Sequence, residues 1–354
     1  MSIKQPLLGL IGLAIAIAIS LAIVSCFSAA TFGGWVTYFV ATCVPVEVTL
    51  ALVLQTQYPG FLKDMKQPMK GITLVVMTLI IAGIISLAVY YTAAQQVGPP
   101  TPMTLIYVIF AVLITFWFSV VWGTWPVSAI TKSQFVIGLS VLLVTYIVGY
   151  LLFYLLFNFA FLTGAPVYVE ALDPKGMFDA NVVLAYSVTT VTMVFVLIMF
   201  DFWPITAFEK LRGQPMMGVA TTILVFVLTT IVWWIGVGVM GFNPVKLQAY
   251  GSIGLLFGAL VPIVMFEGQL FAGLKQPVAG ILRLIIAAIC GYVLPQFYLW
   301  IQPMVTPDLV QQTPDLENWL ASALLAMTFP MMVVVAQYFN FWPFRGNGAA
   351  TKSG

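Results

Sequence analysis

A carboxylate inside an apolar segment is the residue of this chain whose position most directly suggests chemistry. Glu47 lies in VATCVPVEVTLAL, near the midpoint of the second long apolar run. An ionisable group at mid-depth in a membrane costs several kcal/mol, so its presence favours a functional role. Pro45 can kink the helix there and free backbone carbonyls. Glu47 is therefore a candidate for binding a cation or carrying a proton. The structural alternative is a protonated acid bonded to a neighbouring helix.

Three tryptophans form a second group of candidates. Trp117 and Trp122 lie in the dense aromatic stretch FWFSVVWGTW, and Trp234 lies inside the seventh apolar run, deeper than an interfacial belt would place it. Aromatic faces turned inward would form a cage that attracts amines and quaternary ammonium ions through cation–π interactions. Packing against neighbouring helices or lipid is the more common role of such residues.

Three charged residues near the ends of apolar runs complete the candidate set. Asp201 precedes Phe202-Trp203-Pro204, and we place it with the substrate- or ion-binding candidates. Glu267 and Arg283 are expected at similar depth on adjacent helices, where they would form an ion pair or a gate. The structural alternative for all three is snorkelling to the interface together with a salt bridge.

The composition excludes most other chemistry. The chain has no histidine, which removes imidazole-held metals and haem as well as Ser-His-Asp and Cys-His catalysis. Its three cysteines form no C-x-x-C pair, and Gly-rich phosphate loops are absent. We therefore expect no cofactor, no metal, no nucleic-acid partner and no enzymatic activity. A lipid-modifying intramembrane enzyme is the weakest alternative, because clustered acids are lacking.

The solvent of this protein is lipid. Of its 354 residues, 62% are hydrophobic and only 7% are charged, whereas about 25% of a soluble domain is charged. Ten apolar runs are each close to the roughly 20 residues that a helix needs to cross a bilayer. They cover residues 7–27, 35–57, 72–94, 105–125, 135–157, 182–203, 219–240, 253–271, 278–300 and 320–342. The fold class is an all-α polytopic membrane protein with ten transmembrane helices.

A repeated phrase opens every odd-numbered run. Five glutamines are each followed four residues later by glycine, and four of the five are followed directly by proline, which is favoured in the first turn of a helix. They are Gln5, Gln67, Gln134, Gln214 and Gln276. Most even runs end in Tyr-Pro or Trp-Pro, and Glu267 replaces the aromatic residue in the fourth. The pattern predicts five tandem helical hairpins in parallel orientation, at about 4–62, 66–130, 133–208, 213–272 and 275–344, within a single transmembrane domain.

Charge predicts the orientation of these hairpins. Eleven of the thirteen Lys and Arg residues fall in segments on the side of the N-terminus, and only Lys175 and Lys246 fall on the other side. Because positive residues mark cytoplasmic loops, both termini are predicted to be cytoplasmic, with residues 345–354 as a short cytoplasmic tail. Compact loops favour a bacterial-type inner membrane. The acidic outer loops either aid solubility or attract cations.

These features favour transport. The sequence predicts a permease for a small solute, with an organic cation or amine preferred, Glu47 as the binding or coupling carboxylate, and Trp117 and Trp234 as cage walls. A channel is one alternative. The other is a non-catalytic scaffold subunit of a membrane complex, which would have no hydrated cavity and would pair Glu47 within a packed core. Partners are the bilayer and the solute; a homo-oligomer or a larger complex is left open.

Overall fold

Ten long helices dominate the structure, a computed structural model that describes residues 3–310 and 315–345. Each is long and apolar enough to cross a membrane, so the chain is a multi-pass membrane protein. The helices are α1 (Leu7–Val24), α2 (Ala29–Val53), α3 (Met69–Tyr91), α4 (Pro102–Val121), α5 (Gln134–Leu156), α6 (Ala180–Met199), α7 (Met216–Val239), α8 (Pro244–Met265), α9 (Val278–Val305) and α10 (Asp315–Tyr338). Apart from Arg345, the predicted tail lies outside the described residues.

Several of these helices contain π-helical segments, which concentrate at the ends of the even-numbered helices. The segments are Phe32–Val36, Thr49–Val53, Trp117–Val121, Trp234–Val239, Leu247–Ser252, Val261–Met265, Ser322–Thr328 and Val334–Tyr338. The only described strands are β1 (Phe157–Asn158) and β2 (Phe178–Asp179), which pair in parallel within the long connection between α5 and α6. The remaining helical pieces are a short helix, Val127–Ile130, and the 3-10 turns Gly60–Lys63, Ala160–Leu162, Glu170–Leu172, Ile205–Ala207 and Glu209–Leu211.

The helix limits differ from the predicted runs at both ends. α8 begins nine residues before the predicted start, because the Asn243 side chain accepts from the Lys246 backbone N–H at 2.7 Å and caps the helix. α10 likewise begins at Asp315 rather than at residue 320. The even helices end before their Trp-Pro or Tyr-Pro pairs, because two consecutive residues with left-handed backbone first reverse the chain. In α6 these residues are Asp201 and Phe202, with φ of 51° and 57°.

The ten helices form two concentric layers. The even helices are 56–72% buried within the structure, whereas the odd helices are only 17–39% buried. Contacts run from α2 to α4, α6, α8, α10 and back to α2, so the even helices close an inner ring. The odd helices surround this ring, and their large apolar side chains, such as Ile84 and Leu151, are exposed toward the surrounding lipid.

Each odd helix packs most extensively against the even helix that precedes it in the chain, and α1 packs in the same way against α10. Each also touches the even helix one place further back around the ring. The predicted hairpins instead group every odd helix with the even helix that follows it. The close pairs are joined by the turns on the side where the two ends of the described chain meet, with the Ile3 N–H donating to Phe344 O at 3.1 Å. We call this end of the bundle the base and the opposite end the top.

The closest crossing in the bundle joins α8 to α9 through glycines. Gly254 and Gly258 form a G-x-x-x-G pair on α8, and Gly291 faces them from α9. A Cβ added to Gly258 would lie 2.6 Å from the Gly291 nitrogen, and one added to Gly254 would lie 2.8 Å from the Gly291 oxygen. Small residues with this spacing let two membrane helices approach to backbone contact.

The repeated glutamines fasten the outer layer to the inner ring at the base. Gln67 Nε2 donates to Tyr338 O at 2.6 Å, and Gln67 Oε1 accepts from the Gly71 N–H at 3.2 Å. One amide therefore serves a carbonyl at the end of α10 and an N–H at the start of α3, both of which would otherwise lack helical partners. Gln5, Gln214 and Gln276 likewise donate to carbonyls at the ends of α8, α4 and α6, and each accepts from the glycine N–H four residues later in its own helix. Gln134 makes no such side-chain bond among the described residues.

Replacing Gln67 with alanine is expected to destabilise the protein by about 1–3 kcal/mol, because it leaves a buried carbonyl unsatisfied. The matched control is Gln134→Ala at the exposed equivalent position, for which we expect almost no change. Thermal unfolding of the two purified variants in detergent makes the comparison. Equal melting temperatures would show that the bond from Gln67 to Tyr338 contributes nothing to stability.

Candidate functional site

The inner ring encloses a cavity on its central axis. All five even helices line it, at positions that recur every three or four residues, and its volume is about 110 Å³. The wall is almost entirely aliphatic or phenyl. Its members are Thr37, Ala41, Val44, Ile109, Val112, Leu113, Phe116, Val188, Val191, Phe195, Gln248, Ile253, Leu256, Leu260, Ala321, Ser322, Leu325, Ala326 and Phe329.

Three phenylalanines close the base side of the cavity. Phe116, Phe195 and Phe329 are the last lining residues of α4, α6 and α10 in the direction of the base. The rings of Phe116 and Phe195 lie 5.2 Å apart between centroids, and those of Phe116 and Phe329 lie 6.0 Å apart. These distances are typical of directly packed aromatic pairs. We call these three residues the phenyl layer; it separates the cavity from the base.

The top side of the cavity carries its polar groups. Thr37 and Gln248 are the lining residues nearest the top on α2 and α8, and Ser322 follows the topmost lining residue of α10, Ala321. The Thr37 hydroxyl already donates to Phe32 O at 2.7 Å. The side chains of Gln248 and Ser322 make no hydrogen bond among the described residues, so they leave donors and acceptors at the cavity wall. The cavity is thus polar at one end and apolar along the rest of its length.

Glu47 lies outside this cavity. Its side chain is buried at 4% exposure on α2, but it is absent from the lining, and it lies in the base half of the helix rather than at the predicted midpoint. The Glu47 Oε2 atom is buried without a hydrogen-bond partner. Electrostatic interactions connect Glu47 with Cys43, one turn earlier, and with Tyr338 of α10. It therefore faces the flank of the ring, beside α10.

The three tryptophans do not form a cage around the cavity. Trp117 packs against Phe226 of α7, with ring centroids 5.7 Å apart. Trp122 packs at the base end of α4, where it stacks on Trp125 and would meet any side chain placed at Gly218. Trp234 is 64% exposed on α7, toward lipid. All three lie on the outside of the inner ring, which is where packing or lipid contact would place them.

The base-side charges pair differently from the sequence prediction. Arg283 reaches Asp201 at 3.3 Å, and Glu267 pairs with Arg345, so the expected pair of Glu267 with Arg283 is absent from the described residues. Asp201 and Glu267 occupy equivalent places. Each follows the phenylalanine that ends an even helix, has a positive φ and accepts from one of the repeated glutamines. Glu267 is thus the counterpart of Asp201 and not of the aromatic residue before proline.

Sequence reasoning overlooked the residues that line the cavity. Their spacing of three or four along each even helix was the available signal, as in Val188, Val191 and Phe195. In helices that are apolar all round, a stripe facing an axial cavity has the same composition as a stripe facing lipid. Only the arrangement of the even helices in a ring shows which stripe faces the cavity and which faces lipid.

No known protein family matches this chain, and the comparisons with curated proteins and with solved structures gave no significant match. What the described residues show is a multi-pass membrane protein with ten helices long and apolar enough to cross a bilayer.

Proposed function

We propose that this protein is a permease whose solute passes along the axis of the inner ring. One observation carries the proposal: five helices close around a cavity to which every one of them contributes. Ligand sites between the helices of a bundle are usually concave and mostly apolar, with a few placed polar groups. The cavity at the centre of the ring matches this description.

The lining favours an uncharged solute with an apolar body and one polar end. None of the described residues that line the cavity is acidic or basic, so a bare cation would lose its hydration without compensation. Gln248 and Ser322 supply hydrogen bonds at the top, where the polar end of the solute would sit. A volume of about 110 Å³ limits the solute to roughly the size of benzene or less. This lining supports a neutral solute over the amine that the sequence favoured.

The scaffold alternative receives less support. A scaffold subunit would have a packed centre and a paired Glu47, whereas this ring has an axial cavity and the Glu47 Oε2 atom has no hydrogen-bond partner. A permanently open channel is also less favoured, because the phenyl layer closes the base side of the axis.

We further infer that the protein lies in an inner membrane with its base on the cytoplasmic side. We also infer that its five hairpins arose by duplication. The base contains both ends of the described chain and the turns rich in Lys and Arg, which supports the predicted orientation. Every even helix ends in two residues with positive φ, and four of the five glutamines make the same two bonds at the base. These recurrences support the predicted fivefold repeat and its parallel hairpins.

Filling the cavity is expected to stop transport. Ala326 lines the cavity on α10, and a phenyl group placed there would occupy the path of the solute. A phenyl group leaves little room for a solute in a cavity of about 110 Å³. Because each ~1.4 kcal/mol added to the barrier slows a step tenfold, flux in the Ala326→Phe variant should fall about tenfold or more. The measurement is stopped-flow light scattering of proteoliposomes challenged with acetamide or propionamide, with methylammonium as the charged comparison.

The matched control is Ala22→Phe, which adds the same group to the exposed face of α1. It should retain the flux of the wild type. Amide flux no faster than in protein-free vesicles would contradict the proposed solute class. Methylammonium flux faster than amide flux would instead support an amine as the solute. Equal flux in the wild type and in Ala326→Phe would show that the solute does not pass along the axis of the inner ring.

A further inference from the structure

Glu47 is a buried titratable group that the axial path does not use. It has no ion-pair partner among the described residues, and its Oε2 atom has no hydrogen bond. A carboxylate ion with neither cation nor donor is costly in a medium of low dielectric constant. The group that relieves this cost with the least rearrangement is a proton, since the carboxylic acid is neutral.

No Lys or Arg side chain among the described residues pairs with Glu47 in place of that proton. The interacting titratable groups are Cys43 on the same helix and Tyr338 on α10, both uncharged when protonated. On α3, the Thr78 hydroxyl bonds to the Tyr338 hydroxyl at 2.8 Å. On α5, the buried Tyr146 hydroxyl also lacks a partner and interacts with Cys43. Tyr146 also interacts electrostatically with Tyr38 on α2 and Tyr107 on α4.

Glu47 lies within the depth range of the phenyl layer. It is six residues before the base end of α2, whereas Phe116, Phe195 and Phe329 are five, four and nine residues before the base ends of α4, α6 and α10. At about 1.5 Å per residue these distances are about 9 Å for Glu47 and about 8, 6 and 14 Å for the three phenylalanines. Val44, one turn before Glu47, lines the cavity beside the phenyl layer. A change at Glu47 therefore acts on the same turns of α2 that wall the base side of the cavity.

α2 is irregular on both sides of Glu47. Pro45 lies inside the helix and provides no N–H for the carbonyl of Ala41, which is itself a lining residue. The π-helical segment Thr49–Val53 begins two residues after Glu47. Such interruptions allow a helix to bend locally and often occur at functional sites.

We propose that Glu47 is a proton-binding site, separate from the solute cavity, that couples proton movement to opening of the phenyl layer. A proton bound from one side of the membrane converts the carboxylate to the neutral acid, and its release to the other side restores the charge. α2 adopts different bends in the two states, because only the carboxylate needs water or a donor. The coupling rests on the proposed permease function, whereas the proton binding does not.

Two readouts on the same variants test the two halves. The first is the infrared difference spectrum of the reconstituted protein between acidic and alkaline pH, in the carboxylic-acid C=O region. We expect a band that Glu47→Gln removes, that Glu47→Asp shifts, and that the exposed control Glu209→Gln leaves intact. The second is amide flux with and without an inward proton gradient. We expect the gradient to change wild-type and Glu209→Gln flux about fivefold or more, and Glu47→Gln flux to be the same with and without the gradient.

A spectrum without a band that depends on Glu47 would overturn the proton site. A band that depends on Glu47, together with an equal gradient response in the wild type and Glu47→Gln, would overturn the coupling. If the wild type transports no amide, the proposed solute path fails, and the infrared band alone still decides whether Glu47 binds a proton.

Discussion

Replacing Gly258 with alanine is expected to lower stability by about 3 kcal/mol or more, or to prevent folding. The new Cβ would lie 2.6 Å from the Gly291 nitrogen and would overlap the Ala287 carbonyl oxygen. Both atoms belong to the backbone of α9, so no side chain can rotate away, and the two helices must separate. Overpacking usually costs about 1–3 kcal/mol, and a clash with backbone belongs at the upper end. Thermal unfolding in detergent measures the loss.

Gly83→Ala is the matched control for this prediction. Gly83 is also inside a long helix, α3, but a Cβ placed there would meet no atom within 4 Å. Because alanine is a better helix former than glycine by about 1 kcal/mol, we expect an unchanged or slightly higher melting temperature. If both alanine variants unfolded alike, the loss at Gly258 would be a general property of glycine replacement and not of the contact between α8 and α9.

Replacing Arg283 with methionine is expected to cost about 3 kcal/mol or more. The Arg283 side chain is 8% exposed, and it donates to the Met199 and Leu270 carbonyls at 2.9 Å and to Gly268 O at 3.2 Å. Three backbone acceptors around the base ends of α6 and α8 would lose a charged donor. Met199 O would keep only the long bond from Gln276 at 3.4 Å. The Leu270 and Gly268 carbonyls would have no partner among the described residues, at a cost of about 1–3 kcal/mol each. Melting temperature and resistance to denaturing detergent are the measurements.

The ion pair itself should matter much less than these backbone bonds. The Asp201 side chain is 64% exposed, and exposed ion pairs contribute about 1 kcal/mol or less. Asp201→Asn should therefore change stability only slightly, and Arg283→Lys, which keeps the charge but loses the planar fork, should resemble the methionine variant. A large loss in Asp201→Asn combined with a small loss in Arg283→Lys would show that charge pairing dominates at this site.

The number of helices followed from the sequence because the hydrocarbon thickness sets a length that any apolar run must meet. Helix ends were less accurate, since capping and left-handed turns decide them locally. Asn243, whose side chain caps α8, was assigned to a loop, because polar residues next to an apolar run resemble loop residues until the cap geometry is visible. The repeated glutamines were recognised as a pattern, but their bonds across to neighbouring helices join residues far apart in sequence.

For the candidate site, too, the sequence predicts some features and only the packing of the helices decides the others. A lone acid such as Glu47 stands out in a chain with 7% charged residues, and its burial follows from its apolar neighbours. Its separation from the central cavity depends on which face of α2 meets α10, and the sequence contains no signal for that face. The sequence predicts Trp117 and Trp234 as walls of a cage for a solute held by Glu47, yet the packing of the helices places both on the outside of the ring.

By itself, the sequence determined that the chain is a ten-helix membrane protein without histidine chemistry, because composition and run length depend only on transfer of side chains between water and lipid. Tertiary structure alone decided that even helices form a ring, that this ring surrounds an apolar cavity, and that Arg283 pairs with Asp201. In a membrane, a helix face that contacts lipid and one that contacts another helix are both apolar, so composition does not distinguish them. The packing of small residues and a few hydrogen bonds therefore sets the arrangement.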